Sequence, residues 1–338
     1  MVRAAEKRKQ ASPPPNETVG SPLLDDSRDL AIEDSQRGRL PLSTSGAVDQ
    51  EPVLLRRDKD LLQRPNKRRR TQSPVFPVGN IVFAPPPSTS QYLPIAYVRS
   101  CWNGEQSLEN IVVFGDSYSK SDDGDTWANY LGKQLRGKTI PSEIHIFAFP
   151  GATAEYDLSP QLSSFFDVFP QKKGMSNAGP ILDPDKSVYI LFLGINDCGT
   201  TDSDELEEVV EALFDNIHDL YTKGRARNFI LIDVPPIDRS PQAIDCENST
   251  DIEERVKTWN ELLRTQATEF ATSTEQATIL LFSSHQVLME VLDDPSEFHF
   301  SENDVECEGG AIWRDELHLS RGVHNILAKH LLASVLPP

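Results

Sequence analysis

No apolar run in this chain of 338 residues is long enough to cross a bilayer. The longest clean stretches, such as VYILFL at 188–193, have strand length, against the roughly 20 residues a spanning helix needs. No secretory leader is expected either. The amino terminus, MVRAAEKRKQASPPPNE, is charged at once and has no apolar core segment. As written, the sequence predicts a cytoplasmic or nuclear protein, with secretion left open if translation starts elsewhere. Cysteine is scarce: Cys101, Cys198, Cys246 and Cys307, none in a C-x-x-C pair, which argues against a zinc ribbon. A reducing compartment implies four free thiols, and an oxidising one leaves three pairings equally open.

Hydrophobic residues make up only 38% of the chain and there are 25 prolines, so part of it is expected not to pack. Charge is unevenly spread. Residues 1–95 hold 15 basic and 11 acidic side chains, and the remainder holds 18 and 41. The acidic part should repel nucleic acid and anionic membranes, so no nucleic-acid partner is expected for it. Residues 1–95, with PPP at 13–15 and 85–87 and no sustained apolar period, are expected to be a disordered, basic, Pro/Ser-rich extension. Within it, Lys67 through Arg70 are four basic residues in a row. They suit a nuclear-import signal, a nucleic-acid patch or a solvated tail segment.

From residue 96 to 338 the texture changes to that of one folded domain. Strands are predicted at 110–114, 143–149, 187–193 (SVYILFL, the most apolar and so central), 228–234 and 278–282. Helices are predicted at 126–136 with Asp125 as N-cap, at 204–223, 251–272 and 322–336. The helix at 204–223 has Leu206, Val209, Val210, Leu213, Ile217 and Leu220 on one face. Strand and helix alternate, which predicts an α/β fold with a parallel sheet covered on both faces.

In such a sheet, reactive groups lie past the carboxyl ends of the strands. Three strand ends carry Gly115-Asp116-Ser117, Pro150-Gly151-Ala152 and Gly194-Ile195-Asn196-Asp197. Ser117, between a strand and a helix, is placed to be an exposed hydroxyl with its own N–H as a donor. Gly151 offers an unobstructed backbone N–H, and Asn196 offers an amide that can donate where a carboxylate only accepts. In WRDELHLS, Asp315 and His318 are three apart, close enough for a carboxylate to orient an imidazole acting as general base. A hydroxyl, a base, an orienting carboxylate and oxyanion donors are the parts of serine-based acyl transfer. Each part alone has a blander reading as a turn, a loop residue or a surface pair. Their order, each after the expected element, is what carries weight.

At this point the chain resembles the GDSL-type, or SGNH, hydrolases. FGDSYS at 114–119, GIND at 194–197 and WRDELHLS at 313–320 match the first, third and last blocks of that family, and FPGATAEYD at 149–157 resembles the second. VPPIDRSP at 234–241 and Trp259-Asn260 with Leu263 further resemble fungal carbohydrate acetylesterases of the group. The resemblance covers roughly residues 105–336. It implies a three-layer α/β/α, flavodoxin-like fold with a five-stranded parallel sheet. It implies hydrolysis of small-molecule or carbohydrate esters, acetyl esters first, through an acyl-enzyme on Ser117, with no metal or other cofactor. Catalytic Ser117, Asp315 and His318 follow, with an oxyanion hole from Ser117, Gly151 and Asn196. The long extension and the missing leader depart from the family pattern. The alternative is a nuclear or cytosolic interaction protein that uses the hydrolase fold as a binding module behind its basic tail.

The other candidates carry less. His145 in a strand and His218, His324 and His330 on helices read as packing or solvent-facing residues. His285 and His299 are candidates to line a pocket. Asp116 is expected to brace the serine turn and Asp197 to hold the Asn196 loop. SDDGD at 121–125 lacks calcium-loop spacing and suits a helix start.

Overall fold

The alternation of strand and helix builds a doubly wound sheet. A computed structural model describes residues 90–136, 138, 141–170 and 180–336. Most of the 1–95 extension, including Lys67 through Arg70, lies outside these residues. The strands are β1 (Ile95–Tyr97), β2 (Asn110–Gly115), β3 (Glu143–Ile146), β4 (Ser187–Phe192), β5 (Asn228–Ile232) and β6 (Thr278–Phe282), in the spatial order β1-β6-β5-β4-β2-β3. The five strands expected from the sequence are all present and mutually parallel. The expected five-stranded sheet gains a sixth member, because β1 pairs antiparallel with β6 and makes the sheet mixed. Three residues just after a proline are too short to show a period, so β1 was not visible as a strand. The packed chain also starts ahead of residue 96, since Leu93 and Ile95 belong to the buried core.

The helices are α1 (Trp127–Leu135), α2 (Leu158–Val168), α3 (Ile195–Thr200), α4 (Leu206–Thr222), α5 (Pro241–Asp245), α6 (Ser249–Ser273), α7 (Ser284–Asp293) and α8 (Arg321–Val335). α1, α7 and α8 pack as one layer, and α2, α4 and α6 as the other. Every residue of β4, β5 and β6 is buried, which explains their continuous apolar sequences. The six apolar positions expected on one face of α4 are all buried. The helix expected at 126–136 starts one residue later, with Thr126 rather than Asp125 as N-cap. Asp125 instead accepts a hydrogen bond from the Tyr130 hydroxyl at 3.1 Å. β3 is shorter than expected, although Phe147 and Phe149 still donate N–H groups to Val113 O (2.8 Å) and Gly115 O (3.3 Å).

Topology decides where a site can form. From β2 the chain crosses to β3 on one side, returns past β2 to β4, and continues outward to β5 and β6. The winding reverses between β2 and β4, and in open α/β sheets the crevice at that switch point is where ligands bind. The register pairs Gly115 with Phe192, so Ser117 and Gly194 stand level just beyond the two strand ends.

Candidate active site

The turn after β2 is built to hold its serine in one pose. Gly115 is clamped by the buried Gln161 side chain, which accepts from Gly115 N–H at 3.0 Å and donates to Gly115 C=O at 2.8 Å. A Cβ at Gly115 would lie 2.5 Å from Ser119 Oγ and 2.7 Å from Phe192 O, so the close approach of β2 to β4 requires glycine there. Asp116 accepts the Tyr118 N–H at 2.9 Å, and the Tyr118 hydroxyl donates to Leu317 C=O at 2.8 Å. The second bond ties the serine turn to the C-terminal loop.

That loop is a small hairpin closed by a bridge between Trp313 and Leu319 and by the bond from Arg314 N–H to His318 C=O at 2.7 Å. Asp315 Oδ1 accepts the N–H groups of Leu317 (3.0 Å) and His318 (2.7 Å). The same carboxylate lies 2.9 and 3.0 Å from His318 Nδ1, and His318 Nε2 lies 2.8 Å from Ser117 Oγ. Burial works to raise the Asp315 pKa, but the His318 and Leu317 N–H bonds and the His318 ring outweigh it and hold the group below its ordinary value. With Asp315 ionised, Nδ1 carries the hydrogen and Nε2 is the acceptor for the serine hydroxyl. Arg314 stands outside this array, 3.4 Å from Asp315 and 3.5 Å from Asp123 of the acidic 121–125 loop. That pairing places the loop against the hairpin as well as ahead of α1.

The other two candidates meet at the neighbouring strand ends. Gly151 has φ of +77°, a conformation that disfavours any side chain, and its surroundings are open. Asn196 Nδ2 donates to Ala152 C=O at 3.0 Å, which joins the start of α3 to the Gly151 turn. Gly194, with φ of +116°, lets the chain turn from β4 into α3 directly over Trp259. A Cβ there would fall 2.3 Å from the indole. Asn260, next in sequence, exchanges two hydrogen bonds with the Val234 backbone (2.8 and 2.9 Å) and fixes the end of β5.

Of the remaining histidines, His324 and His145 take packing positions, while His218 and His299 are exposed. Buried His324 meets the Tyr118 ring edge-on, and desolvation pushes its pKa down to about 3. His145 packs edge-on against Phe169. His285 donates its backbone N–H to Asp233 at 2.9 Å. All four cysteines are unpaired, two buried and two exposed. Among the described residues no group of three or more His, Cys, Asp or Glu side chains is placed to hold a metal ion, and no helix is long and apolar enough to cross a membrane. Sequence reasoning missed Gln161 and Arg314. Gln161 left one faint signal, a polar residue within the apolar face of α2.

Asp116 is fully buried, one of its oxygens has no partner among the described residues, and desolvation pushes its pKa up to about 7. An unfolded aspartate ionises near 3.8. Ionisation is therefore harder in the fold, and this residue's contribution to stability is lost as pH rises from about 4 through about 7. Asp116→Asn keeps the acceptor for Tyr118 and removes the charge. It should be more stable than the parent at pH 8, on the order of 2–4 kcal/mol, with the gap closing by pH 4. Urea unfolding at the two pH values measures it.

A hydroxyl, imidazole and carboxylate aligned at the switch point of an α/β sheet form the arrangement used by serine hydrolases. The profile of the GDSL-like lipase/acylhydrolase family matches residues 111–331, and the chain belongs to that family. It is a carboxylic ester hydrolase. A curated acetylesterase from Thermothelomyces thermophilus is 24% identical over 277 residues, covering 69% of this chain and 89% of the relative. Est24, a carbohydrate acetylesterase from Sinorhizobium meliloti, is 15% identical with a TM-score of 0.43, covering 67% of this chain and 98% of that one. An aryl esterase from M. smegmatis is 14% identical with a TM-score of 0.43, with the same two coverages.

Proposed function

We propose that the protein hydrolyses short-chain carboxylic esters, acetyl esters first, through an acyl-enzyme on Ser117. The observation that carries this reading is the continuous array from Ser117 Oγ through His318 to Asp315, at 2.8 Å and then 2.9–3.0 Å. His318 Nε2 takes the hydroxyl proton as Ser117 Oγ attacks the ester carbonyl, and Asp315 stabilises the imidazolium that forms. The carbonyl oxygen becomes an oxyanion held by the N–H groups of Ser117 and Gly151 and by the Asn196 amide. One Asn196 hydrogen is committed to Ala152 C=O, leaving the second for the substrate. His318 then returns its proton to the departing alcohol. A water molecule, deprotonated by the same ring, attacks the acyl-serine and frees the acid.

Two observations favour a short acyl group. The Asp315 and His318 side chains are 37% and 29% exposed and Gly151 is exposed, so the site is a shallow shelf rather than an enclosed apolar channel. The matched fungal relative is an acetylesterase, which makes an acetylated small molecule or carbohydrate the natural substrate class to test. Purified full-length protein should cleave p-nitrophenyl acetate and butyrate with kcat/KM at least about tenfold above the octanoate, since a shelf gives a long chain little apolar surface to bury. A preference for octanoate would overturn the short-chain reading.

A further inference from the structure

We propose that Asp197 is a positioning residue for the oxyanion donors, holding the turn at 152–155 so that the Gly151 N–H and the Asn196 amide converge on one point; this rests on the proposed roles of Gly151 and Asn196. Asp197 is 1% exposed. Both of its carboxylate oxygens lie 3.0 Å from the Ala154 N–H, and Oδ1 also accepts from Glu155 N–H at 3.4 Å. The preceding residue, Asn196, donates to Ala152 C=O. Two successive side chains of α3 thus grip three residues of a turn 42 to 44 positions earlier in the chain. Gly151, the first residue of the gripped segment's approach, is exposed and in a left-handed conformation, so the direction of its N–H depends on how the turn after it is held.

The carboxylate is suited to this task where an amide is not. An N–H shared between two oxygens needs an acceptor on both sides, and asparagine or a protonated acid would present a hydrogen on one of them. A carboxylate in this place is expensive. Desolvation raises its pKa to about 6 against the opposing bonds from Ala154 and Glu155. The groups around it are Glu155 on the turn, Asp116 beyond β2 and Cys198 on α3, the last of which also feels Arg255 on α6. Below that pH the carboxyl takes up a proton and its grip on the turn weakens. The oxyanion side would then fail in acid independently of the His318–Asp315 pair.

The test follows the Ala154 and Glu155 amide protons by NMR in ¹⁵N-labelled full-length protein, both parent and Ser117→Ala. The two signals should titrate together with a midpoint at about 6 and should be flat in Asp197→Asn. Asp197→Asn should lose about 10–100-fold in kcat with KM within about twofold, the cost of displaced donors rather than of weaker binding. Cys198→Ala, the next buried residue on α3, should keep kcat within about twofold, separating positioning from a general loss of packing. Amides that do not titrate in the parent, or an Asp197→Asn protein with full kcat, would overturn the proposal. Because the amides titrate equally in Ser117→Ala, the result does not depend on which residue is the nucleophile. Hydrolysis that survives Ser117→Ala would count against the nucleophile assignment alone.

Discussion

Ser117→Ala is expected to lower turnover of an acetyl ester by about 10⁴–10⁶. Only the hydroxyl is lost, and His318 Nε2, 2.8 Å from it, is left without the proposed nucleophile. Without Oγ the proposed acyl-enzyme cannot form, so that two-step path is lost rather than slowed. What should remain is water attack on an ester held by the proposed oxyanion donors, a residual worth about 10³–10⁴ over solution. The fold should be unaffected, because the serine is only half-buried and the turn around it is held by Gln161, Asp116 and Tyr118. Release of p-nitrophenol from p-nitrophenyl acetate, beside circular dichroism of both proteins, measures the effect. Loss of less than tenfold in a folded mutant would mean that another group makes the attack.

Asn196→Ala comes next in size, with an expected fall of about 10²–10³ in kcat. In the proposed oxyanion hole the amide donates where negative charge develops, so its absence should be felt in the transition state more than in the bound ester, and KM should stay within a few-fold. Part of the fall comes from the lost bond to Ala152 C=O, which helps hold the Gly151 turn. Steady-state kinetics on p-nitrophenyl acetate separates the two parameters. A change confined to KM would remove Asn196 from the oxyanion hole and make it a ground-state contact.

Much of this architecture was legible in the sequence because its signals are local. Four of the five parallel strands are almost continuous apolar runs, β3 (EIHI) being the exception, and β6 begins and ends where TILLF begins and ends. Asp315 and His318 share one short hairpin, so their spacing announces their contact. That they meet Ser117, 201 positions away, follows only once the sheet is parallel and its ends are aligned. What stayed hidden is of another kind. α2 carries Pro160 and three serines, which dilute its helical period. β1 is three residues long and takes its identity from pairing with β6. Gln161 works on a backbone 46 positions earlier, and Asp197 on a turn 43 positions earlier. No neighbouring residue advertises a bond of that range, and buried polar groups of this sort look like noise until the fold brings their partners to them.

The short antiparallel strand at the start of the folded chain has a consequence for the molecule's colloidal behaviour. β6 is apolar after Thr278, and β1 pairs along its outer side at Ile279, Leu280 and Leu281. A fragment trimmed to the family blocks, beginning near residue 105, would bare TILLF as an open edge. Flat, uncharged edges of that composition invite pairing with the same edge of another molecule. Three residues that contribute nothing to chemistry thus act as the chain's own gatekeeper against self-association.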